Sequence, residues 1–357
     1  MNASGTGDQG RGTRGTRRET QDQGTRPDRR GEGTRRERRD AAVVPEAEFR
    51  SYYGRPIIKA PVWRYDIPAY LFTGGLAAGS ALVAAGGDLT GRPALRRAGR
   101  LTTLAALSAS TYFLINDLGR PERFHHMLRV AKPTSPMSVG SWILAAFGAT
   151  AGPAAVSELA PLLPRRGPLG LVRRLAPSAG RVAGIGAAMI APALATYTGV
   201  LLADTAVPSW HEAYPELPFI FAGSALASAA GAGLIAAPVE QTSPLRRLAL
   251  AGAAIELAGA HSVETRLGLL SEPYTTGRAG RLLRAGRTLT ALGVAGALLG
   301  RRSRVVSALS GAALLTASAL TRFGIFAGGV RSAEDPKYTV GPQRNRLTGR
   351  ENGRERR

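Results

Sequence analysis

Apolar residues in this chain come in long runs, without the strict alternation of strands or the narrow stripe of a surface helix. A helix needs about 20 mostly apolar residues to cross a hydrocarbon core of about 30 Å. Eight stretches approach that length: 66–87, 99–116, 138–157, 181–203, 218–238, 247–265, 287–300 and 304–321. The seventh is short. Arg301, Arg302 and Arg304 separate it from the eighth, and such a cluster predicts a turn at the membrane surface rather than one merged helix. The pattern predicts an all-α integral membrane protein, a multi-pass bundle of about eight transmembrane helices in the cell membrane. Gly75 and Gly79 in the first run have the small-xxx-small spacing that lets helices pack closely.

Outside these runs the pattern stops. Residues 1–40 offer only Met1 and Ala3 as apolar side chains. Such a segment cannot offset its chain entropy by burial, so it predicts disorder. The stretch from about 331 reads the same way. The expected organisation is an Arg-rich disordered head over 1–60, a membrane domain over 61–330 and a basic tail over 331–357.

Charge and composition narrow the function. The formal net charge is +22, which on a soluble domain would suggest nucleic acid. Here the charge lies in the tails and in short connections between apolar runs. That distribution points to the lipid bilayer as the partner, and to no nucleic acid. There is no cysteine, which excludes disulfides and thiolate-held iron–sulfur clusters in this chain. Of four histidines, only His261 lies inside an apolar run, so no haem held by two histidines is expected. Arg17 and Arg18 precede no apolar segment and do not form an export signal.

Polar groups at membrane depth are costly and therefore informative. Asp66 opens the first run and Asp117 closes the second. Tyr197 follows Pro192 by five residues in the fourth. Glu256, His261 and Glu264 occupy the sixth. Helical geometry puts Glu256 and His261 about 140° apart, and His261 and Glu264 one turn apart on a shared face. These three read either as interhelical hydrogen bonding or as a proton path. After the second run, "DLGRPERF" (117–124) predicts an Asp117–Arg120 pair, with Pro121 fixing the turn. Glu122 and Arg123 extend the network over the mouth of the bundle. His125 and His126 are expected to face solvent.

Several stretches carry a resemblance: "VWRYDIPAYLFTGGLAAG" (62–79), "DLGRPERF" (117–124), "SPMSVGSWIL" (135–144), "YTGVLLADTAVPSW" (197–210) and "DPKYTVGPQR" (335–344). Taken in order they resemble the NrfD-like family, in its actinobacterial-like form. Its members are membrane subunits of polysulfide reductase and related molybdenum enzymes. The resemblance implies a quinone-reactive subunit of a formate dehydrogenase or polysulfide reductase type of complex. It implies a bound quinone or quinol, menaquinone first among them, and no haem or iron–sulfur cluster in this chain. A ferredoxin-like iron–sulfur subunit would dock near the quinone, over Glu122 and Arg123, and exchange electrons with a molybdopterin catalytic subunit. The family's ring ligands come from the start of the first helix and from a fourth-helix tyrosine. Tyr197 matches the tyrosine. Trp63, Tyr65, Asp66 and Tyr70 stand at the first-helix start, and Asp117 and Arg120 would form the pocket rim. No metal ligands are needed. The rival reading is a proton-conducting or transport protein without redox chemistry, using Glu256, His261 and Glu264.

Alternation of eight spans puts both termini and the 117–135, 204–217 and 266–286 loops on one face. The loops near 88–98, 158–180, 239–246 and 301–303 take the other. By family analogy the quinone site and the partner share the first face.

Overall fold

The structure is a computed structural model, and it describes residues 56–344. Eight long helices, joined by short helical turns and loops, run through the described residues: α1 (Asp66–Leu89), α2 (Pro93–Asn116), α3 (Pro136–Val156), α4 (Pro168–Ala203), α5 (Leu217–Ala236), α6 (Ser243–Arg266), α7 (Gly277–Leu299) and α8 (Arg304–Glu334). Proline marks most of the starts. It occupies one of the first two positions of α2, α3, α4, α5 and α6, where its missing N–H costs nothing. Ser135 and Ser303 cap α3 and α8 by accepting from Ser138 N and Val306 N.

Six of the eight are long and apolar enough to cross a membrane. The other two, α2 and α6, carry charges inside otherwise apolar sequence. At one end of α2, Arg100 binds Glu158 at 2.9 Å and lies 3.5 Å from Asp88, while Arg96 binds Glu158 at 2.8 Å. These charges are matched within the protein, so they do not forbid a membrane position. Each of the two helices has 24 residues, about 36 Å at 1.5 Å per residue. The chain is an integral membrane helical bundle.

The first four helices pack α1 on α2 and α3 on α4. The last four pack α5 on α6 and α7 on α8. Helices α1 and α4 lie against α5, and α8 bridges α5 and α1. Small residues set the spacing. A methyl group on Gly79 would lie 2.4 Å from the Ala225 carbonyl oxygen, so α1 and α5 touch backbone to backbone, as the small-xxx-small spacing predicts.

Three boundaries differ from the sequence expectation. Helix α4 begins at Pro168 and α7 at Gly277, each about ten residues before its apolar run. Both extensions are Arg-rich, and arginine is a good helix former whose stem covers apolar surface. At the other end, α8 continues to Glu334 and residues 337–344 are helical. The described part of the expected tail is therefore structured. Tyr338 is buried, and Lys337 binds Glu272 at 2.8 Å. The expected head, apart from 56–60, and residues 345–357 lie outside the described residues.

Candidate functional site

The start of α1 meets the end of α2. Asp66 is buried in the first turn of α1 and accepts a hydrogen bond from Asn116 Nδ2 at 2.9 Å. This bond fixes the point from which α1 enters the bundle. One turn further in, Tyr70 is buried and faces α4. On α4, Pro192 has no N–H to continue the helical ladder. Thr196 Oγ1 bonds the Pro192 carbonyl at 2.8 Å, and the next residue, Tyr197, is buried. Its ring lies on Gly140 of α3: a methyl there would be 2.1 Å from Tyr197 Cε2.

Tyr70 and Tyr197 line one cavity of about 70 Å³, together with Trp63, Asp117, Met127 and Ser141. That is room for several waters at about 10–15 Å³ each. Neither tyrosine hydroxyl makes a hydrogen bond to another described residue. Burial raises the Asp117 carboxyl above the usual carboxylate range. The backbone and charge of Arg64 oppose that rise, and Asp66 adds to it. An apolar groove of about 230 Å³ between α2 and α3 adjoins the cavity. The two share Leu114, Met127 and Ser141. The stacked rings of Trp63 and Trp210, 6.1 Å apart, stand beside the cavity. Trp210 Nε1 is anchored on the Ile325 carbonyl of α8 at 2.9 Å.

Of the residues read from sequence, Tyr70, Asp117 and Tyr197 come together. Asp66 stands one layer behind, outside the cavity lining. The expected Asp117–Arg120 pair does not form among the described residues. Arg120 has extended backbone, φ −136° and ψ 85°, before the eight-residue 3-10 helix Pro121–Leu128, and its side chain is exposed. Glu122, Arg123, His125 and His126 are exposed as well.

The sixth-helix residues divide. Glu256 is buried and accepts from Thr321 Oγ1 at 2.6 Å. Glu264 pairs with Arg287 of α7. His261 is exposed and lies off the cavity that these residues line, so it does not belong with them. The buried residues of α6 centre on Glu256, and His261 lies about 140° from it at 100° per residue. Arg322 was not among the sequence candidates. Its guanidinium is fully buried, 3.8 Å over the Phe221 ring, and donates to the Phe221 carbonyl at 2.7 Å. The signal was the apolar sequence "FGIFAGGV" directly beyond it, which makes this an arginine inside a span.

A search of curated proteins finds no match to the chain. The family model for polysulphide reductase, NrfD, matches residues 57–246, more than half of the 357 and all of the segment that builds the Tyr70–Tyr197 cavity. The chain belongs to the NrfD family, the membrane subunits of polysulfide reductase-type complexes.

Proposed function

We propose that the cavity between Tyr70 and Tyr197 holds the ring of a quinone or quinol, and that the chain is the quinone-reactive anchor of a molybdopterin oxidoreductase. The observation that carries this reading is the pair of buried tyrosines lining one cavity, neither bonded through its hydroxyl to another described residue, with Asp117 beside them. The donor set fits the group. A quinone has two ring oxygens that need donors, and menaquinone is the expected form. When bound, it supplies a couple of two electrons and two protons.

The chain's own residues then have distinct tasks. Tyr70 and Tyr197 donate to ring oxygens in a region with little competing water. Asp117, at the end of α2, can take a proton from one side and release it to the other. Burial pushes its carboxyl towards the range where such exchange is effective. The Asp66–Asn116 bond holds α1 in register with α2. The apolar groove past Leu114 and Met127 is suited to a prenyl chain, because its lining offers almost nothing polar. The exposed loop carrying Arg120, Glu122 and Arg123 lies over the same end of the bundle. It is the surface on which a ferredoxin-like iron–sulfur subunit would dock, and through it the molybdopterin subunit would exchange electrons. A purely transporting protein, the rival reading, gives the two tyrosines of this cavity no task.

Tyr197→Phe tests the proposal in the assembled complex. Abundance and assembly should be unchanged, and turnover with an artificial soluble electron carrier should persist. Quinone-linked turnover should fall about tenfold or more, equivalent to about 1.4 kcal/mol at the barrier. Wild-type quinone turnover in this variant overturns the assignment of Tyr197.

A further inference from the structure

The second half of the bundle holds a buried acid that the quinone reading does not use, outside the segment matched by the family model. Glu256 stands 10 residues from the end of α6 at Arg266 and 13 from its start at Ser243, about 15 and 20 Å. That is close to the middle of a membrane. Its Oε1 accepts from Thr321, while its Oε2 is buried with no partner. A buried carboxyl oxygen left unpaired is costly unless a proton or water completes it.

On one side of Glu256 there is space. A cavity of about 30 Å³ runs from Glu256 past Leu257 and Ala260 to Glu264, Tyr274 and Arg287. Tyr274 lines it with a buried hydroxyl that also lacks a partner. At the other end, Glu264 and Arg287 are paired and partly open, with side chains 26% and 35% exposed. This is the end next to the 266–286 loop.

On the opposite side the helices close. A methyl on Gly223 would lie 2.5 Å from Glu256 N, and one on Gly252 would lie 2.7 Å from Ala227 N. Deeper still, a methyl on Gly231 would be 2.6 Å from the Gly311 oxygen, and one on Gly293 would be 2.8 Å from Leu314 Cγ. Backbone in contact with backbone at three of these points, and with the Leu314 side chain at the fourth, leaves no path for water towards the 239–246 and 301–303 turns.

We propose that Glu256 is a proton-exchange site at the closed end of a half-channel whose mouth is the Glu264–Arg287 pair. A proton from water at that mouth forms the O–H bond at Glu256 Oε2, leaving hydroxide to the solvent, and returns by the same route. Oε1 keeps its bond to Thr321 throughout. Arg322 is the fixed cation of this layer, with Nε and Nη1 unpartnered. A methyl on Gly75 would lie 2.9 Å from its Nη2, so the arginine also touches the helix that carries Tyr70. Helix α5 contributes Phe221 and backbone to the layer, α7 contributes Arg287, and α8 contributes Thr321 and Arg322. The proposal stands whether or not the Tyr70–Tyr197 cavity binds a quinone.

The chain has no cysteine, so each introduced thiol is unique in it. Single variants Leu257→Cys, Ala260→Cys, Ala253→Cys and Ala249→Cys are made in the full complex, in membrane vesicles of both orientations. Silver ion, which needs an aqueous path, is added outside, and surviving thiols are tagged with a maleimide after denaturation. Silver should block position 257 or 260 at least tenfold faster from the 266–286 face than from the other. Positions 253 and 249 should stay unreacted from both. Reaction at 253 or 249 from the opposite face would make this a through-channel and overturn the proposal, and so would protection of both 257 and 260 from both faces. Infrared difference spectra in H2O and D2O supply the proton readout. An exchangeable carboxyl band should be present in the complex and absent in Glu256→Gln. An unchanged spectrum in Glu256→Gln overturns the proton role.

Discussion

The ring of Tyr197 lies directly on the α3 backbone at Gly140, where a single methyl would come within 2.1 Å of Cε2. The tyrosine is thus held between its own helix, which contains Pro192, and a helix with no side chain at the point of contact. Gly140→Ala cannot be absorbed by a flexible chain end, because the obstacle is a buried ring. Overpacking of this kind costs about 1–3 kcal/mol. The expected outcome is a complex that still assembles, melts at lower temperature and loses quinone-linked turnover at least as severely as Tyr197→Phe. Combining Gly140→Ala with Tyr197→Ala should recover part of the stability lost, a coupling that a double-mutant cycle would read. Additive losses would show that the ring and Gly140 do not interact.

Two glycines one turn apart on α1 should behave differently. A methyl on Gly79 meets the Ala225 backbone oxygen at 2.4 Å, whereas one on Gly75 meets the guanidinium end of Arg322 at 2.9 Å. Backbone cannot yield, but the end of an arginine can shift by a few tenths of an ångström. Gly79→Ala is expected to lower the thermal stability of the detergent-solubilised complex by about 1–3 kcal/mol equivalent. Gly75→Ala should cost less than half as much. Equal losses would mean that α1 and α5 are not in backbone contact.

The division between what sequence showed and what it concealed has physical causes. Eight helices were visible because length and apolarity are local properties. Their ends were less so: "GRAGRLLRAG" at 277–286 lacks apolar periodicity, yet its arginines favour helix. Asp117 and Tyr197 stood out because polar groups at the ends or middle of apolar runs are rare, whereas Tyr70 entered only through the family resemblance at the start of the first helix. Gly140 did not, being one glycine among many; only the ring that lands on it gives it meaning. Arg322 is hidden in the sequence because the apolar run 304–321 ends just before it. His261 and Glu256 show a further limit. Spacing gives the angle between two residues on a helix but not which direction is inward, and the packing of α6 on α5 turned Glu256 in and His261 out. The Asp117–Arg120 pair failed for a similar reason, since a three-residue separation carries no geometry once the chain leaves the helix.

At the 204–217 turn, Glu216 should make the structure acid-sensitive. Burial alone would raise its carboxyl. The hydrogen bonds from Arg266, at 2.6 and 2.7 Å, and from Ser262, at 3.0 Å, outweigh that and hold it below its ordinary value of 4.5. A lowered acid contributes stability that is present above the ordinary value and lost as pH falls through the lowered one. Glu216→Gln should therefore weaken the fold at neutral pH, by about 1–3 kcal/mol given the worth of hydrogen bonds to charged groups. It should also flatten the acid limb of a melting curve. Hydrogen exchange over 204–217 and 266–276 is the local check, and unchanged protection in the variant would show that the pair is dispensable.

Asp117 should show the opposite sign, and this separates its stability effect from its task. Burial is the main cause of the raised carboxyl, from an ordinary value of 3.8. A folded state that binds the proton more tightly than the unfolded chain loses stability as pH rises from the ordinary value through the raised one. Asp117→Asn removes the ionisation while keeping the shape. Its melting temperature at neutral pH is therefore expected to equal or exceed that of the parent, with a flatter pH dependence above the ordinary carboxylate value. Quinone-linked turnover should fall tenfold or more, because an amide cannot exchange a proton. Arg120→Ala should be close to silent in stability, within about 0.5 kcal/mol, since the side chain is exposed and bonds to nothing among the described residues. The charge-swapped variant, Asp117→Arg with Arg120→Asp, should be inactive, because there is no pair for the swap to restore. Recovery of turnover in the swapped variant would re-establish the ion pair and remove Asp117 as the proton-exchanging group. A stable, fully active Asp117→Asn would remove it as well, leaving the tyrosines as the cavity's polar groups.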